Sequence, residues 1–171
     1  MVAIVKYNAG NVKSVYNAVT RLGYEAVITD DFETLQKADK VIFPGVGEAS
    51  SAMTYLKEKG LDEVIKNLKQ PVLGIFPIQV KLFPSTEIVP HMGWNTIYDL
   101  KTSLYNGIEE NSDIYYVHSF YCENSEYTIA KSNYILEYSA ALNKGNFYAT
   151  QFHPEKSADV GEKILRNFLS L

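Results

Sequence analysis

A histidine and a glutamate two residues apart are the strongest candidates for chemistry in this chain. They lie in the segment Gln151-Phe152-His153-Pro154-Glu155. Pro154 favours an extended backbone at His153 and ends strand pairing there, so we expect His153 at the carboxyl end of a strand, where open α/β sheets bind ligands. If the backbone stays extended, Glu155 lies on the same side. Its carboxylate would then orient the imidazole as the third group of a nucleophile triad, although a surface ion pair is the alternative for Glu155.

A glycine pair is the second candidate. Gly45-Val46-Gly47 follows a predicted strand directly. Glycines on both sides of one residue allow positive φ angles, which can turn backbone N–H groups into a cleft. Such amides stabilise a developing oxyanion. On spacing alone an ordinary strand-to-helix turn is the favoured interpretation.

Two histidine-containing segments are weaker candidates. His91-Met92-Gly93-Trp94-Asn95 is also consistent with a packed aromatic turn. In the second segment, Tyr116-Val117-His118-Ser119, His118 alternates with Tyr116 and Phe120 along a predicted strand. A single histidine in such a position is more often structural than functional.

Alternating strands and helices position these residues. Apolar runs predict strands at 2–5, 25–29, 41–43 and 72–75, and apolar spacings of three and four predict helices at 12–22, 51–59 and 61–68. This order predicts a parallel sheet with helices on both faces. The second half has strand-like runs at 78–83, 95–98, 114–121, 134–138 and 147–152, then a helix from about Ser157. We therefore expect one α/β domain over residues 1–171, with a flavodoxin-like or Rossmann-like mixed sheet.

One junction breaks the pattern. Parallel strands need a crossover of about a dozen residues or more. The strand that ends at Ile75 has none, because Phe76-Pro77 leads almost at once into the next run. Phe-Pro is not a hairpin turn. Either the two runs form one bent strand, or a connecting segment is missing between Ile75 and Phe76, which is the interpretation we favour.

Composition excludes several classes of protein. With 16 basic and 20 acidic residues the formal net charge is −4, which argues against a nucleic-acid or membrane-surface protein. No apolar run approaches the ~20 residues that span a bilayer, and the first residues lack signal-peptide features. The single cysteine, Cys122, excludes an internal disulfide and a cysteine-based zinc site. We expect a cytoplasmic protein.

Over its whole length the chain resembles the class I, or triad, glutamine amidotransferases. The segments that carry the resemblance are Gly10-Asn11-Val12 with Ser14, Pro44-Gly45-Val46-Gly47, Pro90-His91-Met92-Gly93-Trp94-Asn95, Tyr116-Val117-His118-Ser119 and Gln151-Phe152-His153-Pro154-Glu155-Lys156-Ser157. The Phe-His-Pro-Glu segment is shared by triad amidotransferases generally. The His-Met-Gly-Trp-Asn segment narrows the resemblance to the glutaminase subunits of imidazole glycerol phosphate synthase, in histidine biosynthesis.

The resemblance implies hydrolysis of glutamine to glutamate and ammonia without a cofactor or a metal. His153 would be the base, Glu155 its orienting acid, and the backbone of Gly45, Val46 and Gly47 the oxyanion hole. His118 and Ser119 would bind substrate. Ammonia would pass to a cyclase subunit, a (β/α)₈ barrel, in a heterodimer. The implied interface residues are Asn11, His91, Met92, Gly93, Trp94 and Asn95.

The departure from the family lies at the nucleophile. The resemblance places a cysteine directly after Ile75, in a sharp strand-to-helix turn. Compared with the family pattern, roughly twenty to thirty residues are missing at this point. Cys122 is a poor substitute, because it lies on or beside a strand, without a glycine turn or a helix N-terminus to lower its pKa. We interpret it as a structural or exposed thiol.

Three explanations of the junction stay open. The protein carries a segment there that the sequence lacks, or the segment has been deleted together with the glutaminase activity, or the chain is a diverged binding module that keeps the fold. We favour the first, because deletion of a central helix beside a core strand would be severely destabilising. A weaker alternative within the fold is the glutaminase of pyridoxal phosphate synthesis, against which the segment at 91–95 argues.

Overall fold

The computed structural model describes residues 1–7, 11–45, 49–74 and 80–171, and for residues 49–53 only the backbone. The chain divides into two compact units, Met1–Gly74 and Ile75–Leu171. The junction between Ile75 and Phe76 lies outside the described residues, as do Val46 and Gly47. The prediction of a single domain with a missing segment at that junction stays a prediction.

Four parallel strands form the sheet of the first unit. They are β1 (Val2–Val5), β2 (Ala26–Thr29), β3 (Lys40–Ile42) and β4 (Val72–Leu73), in the order β2-β1-β3-β4. All four residues of β1 are buried, as expected for an apolar strand that is covered on both faces of a parallel sheet. The predicted parallel arrangement is confirmed.

Four helices connect these strands: α1 (Val12–Arg21), α2 (Phe32–Lys37), α3 (Ala49–Glu58) and α4 (Leu61–Lys66). α1 buries Val15, Ala18 and Val19, which lie on one face. α2 was not predicted, because Leu35 is its one buried residue and leaves no apolar stripe. Its start is fixed by the carboxylate of Asp31, which accepts a hydrogen bond from the backbone N–H of Thr34.

Antiparallel pairs dominate the second unit. Its strands are β5 (Val80–Leu82), β6 (His91–Ile97), β7 (Ser112–His118), β8 (Phe120–Cys122), β9 (Thr128–Tyr134), β10 (Leu136–Lys144) and β11 (Phe147–Thr150). β5 pairs with β8, β6 with β7, and β10 with both β9 and β11, all antiparallel. The last helix, α5 (Ala158–Leu169), buries Ile164, Leu165, Phe168 and Leu169. Parallel pairs in the first unit and antiparallel pairs in the second agree with the predicted mixed sheet.

Three strand predictions need correction. A strand at 134–138 is wrong, because Ile135 has a φ of 64° and separates β9 from β10. The run at 114–121 is two strands divided at Ser119. The predicted strand at 95–98 starts four residues earlier, at His91, because the whole segment to Ile97 pairs with β7.

The described part of the chain contains no helix that is long and apolar enough to cross a membrane.

Candidate functional site

His153 and Glu155 form a hydrogen-bonded pair. Nδ1 of His153 lies 3.0 Å from Oε1 of Glu155, whose side chain is only 6% exposed, against 26% for His153. An ionised carboxylate only accepts, so Nδ1 carries the proton and the lone pair of the neutral ring is on Nε2. A partly exposed imidazole in this tautomer is suited to accept a proton from a nucleophile.

A tight turn brings the two side chains together. His153 is extended, with φ −99° and ψ 94°, and Pro154–Lys156 form a short 3-10 helix. The predicted extended backbone is therefore found at His153 and not at Glu155. The expected contact between the two side chains is present, but the turn after His153, and not an extended backbone, brings them together.

Strand β7 holds the backbone at His153. The N–H of His153 donates to the carbonyl of Tyr115, over 2.9 Å. Tyr115 belongs to β7, which ends at His118 immediately before Ser119. Both candidate substrate residues and the attachment point of His153 are thus on or next to one strand. The sequence gives no signal for the Tyr115 contact, because it uses backbone atoms only.

The rings of His91 and His118 form a second, buried pair. These residues are opposite each other in the β6–β7 ladder. Nδ1 of His118 lies 2.8 Å from the carbonyl oxygen of Phe120, and its Nε2 lies 3.0 Å from Nδ1 of His91. Since a carbonyl only accepts, His118 donates from Nδ1 and its Nε2 accepts from His91.

Burial sets the protonation of this pair. Desolvation lowers the pKa of His118 to about 4, and it lowers the pKa of His91 as well. Both imidazoles are therefore neutral at pH 7. The Tyr138 hydroxyl also lies 3.4 Å from Nε2 of His118. A direct role for the ring of His118 in binding substrate would compete with these three partners.

The backbone before the glycine pair is anchored by Tyr7. Its hydroxyl lies 2.8 Å from the carbonyl oxygens of both Pro44 and Gly45, and its ring stacks on Phe43 at 4.7 Å. Burial raises the pKa of Tyr7 to about 12, so the hydroxyl remains a donor. Gly45 is exposed. The oxyanion hole itself stays a prediction, since Val46 and Gly47 lie outside the described residues.

Two of the predicted interface side chains are well exposed. Met92 and Trp94 are 63% and 54% exposed on β6, opposite Val117 and Tyr115 of β7. His91 is buried, the side chain of Asn95 donates to the carbonyl of Asn133, and Oδ1 of Asn11 accepts from Ser14. Gly93, between the two exposed residues, has a φ of 134°. Met92 and Trp94 are thus the interface candidates that offer apolar surface.

Cys122 is a core residue. It is buried beside Leu142 and Ala149, with Tyr127 packed against them. Desolvation raises the pKa of its thiol to about 11, which makes the thiolate scarce at neutral pH. This placement agrees with the interpretation of a structural thiol. Within the described ranges, no group of histidine, cysteine and carboxylate side chains could hold a metal ion.

Comparison with known proteins identifies the family. The class-I glutamine amidotransferase profile matches residues 79–171, more than half of the chain. The chain belongs to the class I glutamine amidotransferases. Curated relatives extend the match: imidazole glycerol phosphate synthase subunit HisH of Bacteroides fragilis strain YCH46 is 53% identical, covering 99% of each chain, and subunit HisH 2 of Legionella pneumophila strain Paris is 42% identical, covering 100% of this chain and 98% of the relative.

Solved structures confirm the predicted α/β amidotransferase fold. PurLQS from Thermotoga maritima matches with a TM-score of 0.77 at 16% identity, covering 99% of this chain and 97% of that chain. A glutamine amidotransferase from the same organism matches with a TM-score of 0.69 at 13% identity, covering 99% of this chain and 82% of that chain.

The span matched in the Bacteroides fragilis subunit is longer than this chain. The match to the Bacteroides fragilis subunit spans 194 positions, whereas the chain has 171 residues. At least 194 − 171 = 23 aligned positions of that relative therefore have no counterpart here. Because an alignment begins and ends on matched residues, these positions lie inside the aligned span.

Proposed function

We propose that this chain is the glutaminase subunit of an imidazole glycerol phosphate synthase, which hydrolyses glutamine and passes the ammonia to a cyclase subunit in histidine biosynthesis. The observation that carries the proposal is the pair of His153 and Glu155, 3.0 Å apart, in a chain that is 53% identical to a HisH subunit over its full length.

In the proposed reaction a cysteine thiolate attacks the side-chain amide carbon of glutamine. His153 takes the thiol proton on Nε2 and delivers it to the departing ammonia, while Glu155 stabilises the imidazolium. Amides of the segment Gly45-Val46-Gly47 stabilise the oxyanion. Water then hydrolyses the thioester to glutamate and restores the thiol. Since the ring of His118 is already engaged, Ser119 and the backbone around it are the better candidates to hold glutamine.

The nucleophile has to come from residues beyond the 171 of this sequence. Cys122 is the only cysteine, and its buried thiol has a raised pKa. We propose that a segment with the nucleophile follows Ile75. The 23 or more extra positions in the HisH relative support this. The crossover rule does not, because β5 pairs antiparallel with β8 and is not a parallel neighbour of β4.

The competing proposal is a chain that binds the cyclase without hydrolysing glutamine. The single buried cysteine favours it, since no other thiol is present in the 171 residues. The intact mass separates the two: 19.3 kDa means that the segment is absent from the protein, whereas a mass larger by about 2–3 kDa means that it is present.

Glutamate release is the functional test. We expect hydrolysis of glutamine that increases with the cyclase and its nucleotide-derived ligand. His153→Ala should abolish hydrolysis and Cys122→Ser should retain it. A protein that binds the cyclase but releases no glutamate would overturn the glutaminase proposal and leave the binding role.

We further propose a (β/α)₈-barrel cyclase as the partner in a heterodimer, with Met92 and Trp94 in the interface, and a cytoplasmic location. Neither a nucleic acid nor a membrane is a proposed partner, which agrees with a net charge of −4. The glutaminase of pyridoxal phosphate synthesis is not favoured, because the curated relatives given above are named HisH subunits.

A further inference from the structure

The hydroxyl of Ser157 makes two hydrogen bonds, one with the backbone of His153 and one with the backbone of Tyr115. Its side chain is fully buried. The hydroxyl lies 2.7 Å from the carbonyl oxygen of His153 and 2.9 Å from the backbone nitrogen of Tyr115. A carbonyl cannot donate and an amide N–H cannot accept, so the hydroxyl donates to His153 and accepts from Tyr115.

The ordinary role of this serine does not account for these bonds. Ser157 immediately precedes α5, where a serine hydroxyl normally accepts from the N–H groups of the first helical turn. Here the Ser157 side chain makes no capping bond. The hydroxyl instead joins the turn after His153 to β7.

Together the contacts hold both peptide groups of His153 at one residue of β7. The N–H of His153 donates directly to the carbonyl of Tyr115, and the carbonyl of His153 reaches the N–H of Tyr115 through the Ser157 hydroxyl. The His153 carbonyl also accepts from the N–H of Lys156, over 3.0 Å.

Gly161 allows this turn to lie against α5. A Cβ at position 161 would come within 2.0 Å of the carbonyl oxygen of Pro154 and 2.7 Å of Cβ of Ser157. The backbone of the turn therefore occupies the space that the side chain of any residue other than glycine would need at position 161.

We propose that Ser157 is a positioning residue for His153. It fixes the backbone from which the imidazole projects, and so keeps Nδ1 on Glu155 and Nε2 free to act as the base. It also sets the position of His153 relative to the end of β7, where Ser119 follows. The inference rests on the proposed role of His153 as the base.

The first test uses the imidazole of His153, one of three in the chain. We expect nitrogen NMR of the neutral ring to show the proton on Nδ1. Ser157→Ala should increase the population with the proton on Nε2, and should accelerate exchange of the His153 amide about tenfold.

Ser139→Ala is the matched control. Ser139 is also buried, and its hydroxyl donates to the carbonyl of Glu123 and lies 2.7 Å from the hydroxyl of Thr128, with no contact to His153. It should lose comparable stability and leave both His153 signals unchanged. A folded Ser157→Ala variant whose His153 signals match those of Ser139→Ala would overturn the inference.

Two further measurements separate the outcomes. If Ser157→Ala does not fold, the wild-type chain still decides: a slowly exchanging Ser157 hydroxyl proton close to the Tyr115 amide supports the inference, and its absence overturns it.

In a protein that releases glutamate, Ser157→Ala should lower kcat about tenfold with little change in KM, and an unchanged kcat would overturn the inference. A protein that releases none, but shows the expected His153 signals, refutes the glutaminase and not the positioning role.

Discussion

At the scale of single residues, the second unit keeps histidines in two different states. His153 is partly exposed and bonded to a carboxylate, whereas His91 and His118 are buried, neutral and bonded to each other. The pair of His153 and Glu155 is suited to move a proton. The buried pair joins β6 to β7, and its protonation would break a bond in the core.

The buried pair predicts a loss of stability in acid. The pKa of His118 falls from 6.5 to about 4 on burial, so between these values the unfolded chain binds a proton that the folded chain does not. Stability that is fully present above pH 6.5 should therefore decrease as the pH falls toward 4, by up to about 3 kcal/mol from His118.

Urea unfolding of wild type and His118→Gln across this range checks the prediction. Glutamine can accept from His91 without titrating, so the variant should show a shallower pH dependence. Equal pH dependence in the two proteins would contradict the assignment to His118.

A second residue-scale prediction concerns Cys122. With a pKa raised from 9.0 to about 11, its thiolate fraction at pH 8 is about 100-fold lower than that of an ordinary thiol. Alkylation of the folded chain should be at least that much slower than alkylation in urea, as followed by mass spectrometry. Any fast-reacting thiol in the folded protein would be a second cysteine, and would locate the nucleophile by peptide mapping.

At the scale of elements, the sequence predicted the features that depend on local residue patterns. The parallel strands, the stripes of α1 and α5, and the contact of His153 with Glu155 follow from local patterns. α2 was missed because it has one buried residue, and the β9–β10 turn because Ile135 is β-branched and such residues rarely adopt a positive φ. The His91–His118 bond and the Ser157 bridge could not be predicted, since they depend on the register between distant strands and turns.

The packing of α5 predicts that Gly161→Ala destabilises the protein, which is the opposite of the usual effect of this substitution in a helix. A glycine-to-alanine change inside a helix normally stabilises by about 1 kcal/mol. Gly161→Ala should instead destabilise by roughly 2 kcal/mol or more, because the added methyl meets the Pro154 carbonyl. Thermal unfolding measures this, with Glu162→Ala as the neighbouring control, expected to cost less than about 0.5 kcal/mol. A stabilised Gly161→Ala variant would show that the turn does not pack there.

At the scale of the whole molecule, the proposed assembly predicts unequal effects of two aromatic truncations. Trp94→Ala should weaken binding to the cyclase about tenfold or more, since tryptophan is enriched among the residues that contribute most to binding at interfaces. Phe32→Ala removes another exposed aromatic, on α2 and outside the predicted interface, and should leave the dissociation constant within about twofold. Calorimetric titration distinguishes the two, and equal effects would place the interface elsewhere.

Trp94 has a further practical consequence. It is the only tryptophan of the 171 residues, and its ring meets Tyr115 edge-on at 5.8 Å. The indole emission of the isolated chain therefore reports on β6 alone. Trp94 lies opposite Tyr115, whose carbonyl accepts the hydrogen bond from the N–H of His153. A shift of that emission to shorter wavelength on mixing with a tryptophan-free cyclase would follow complex formation optically, without any attached dye.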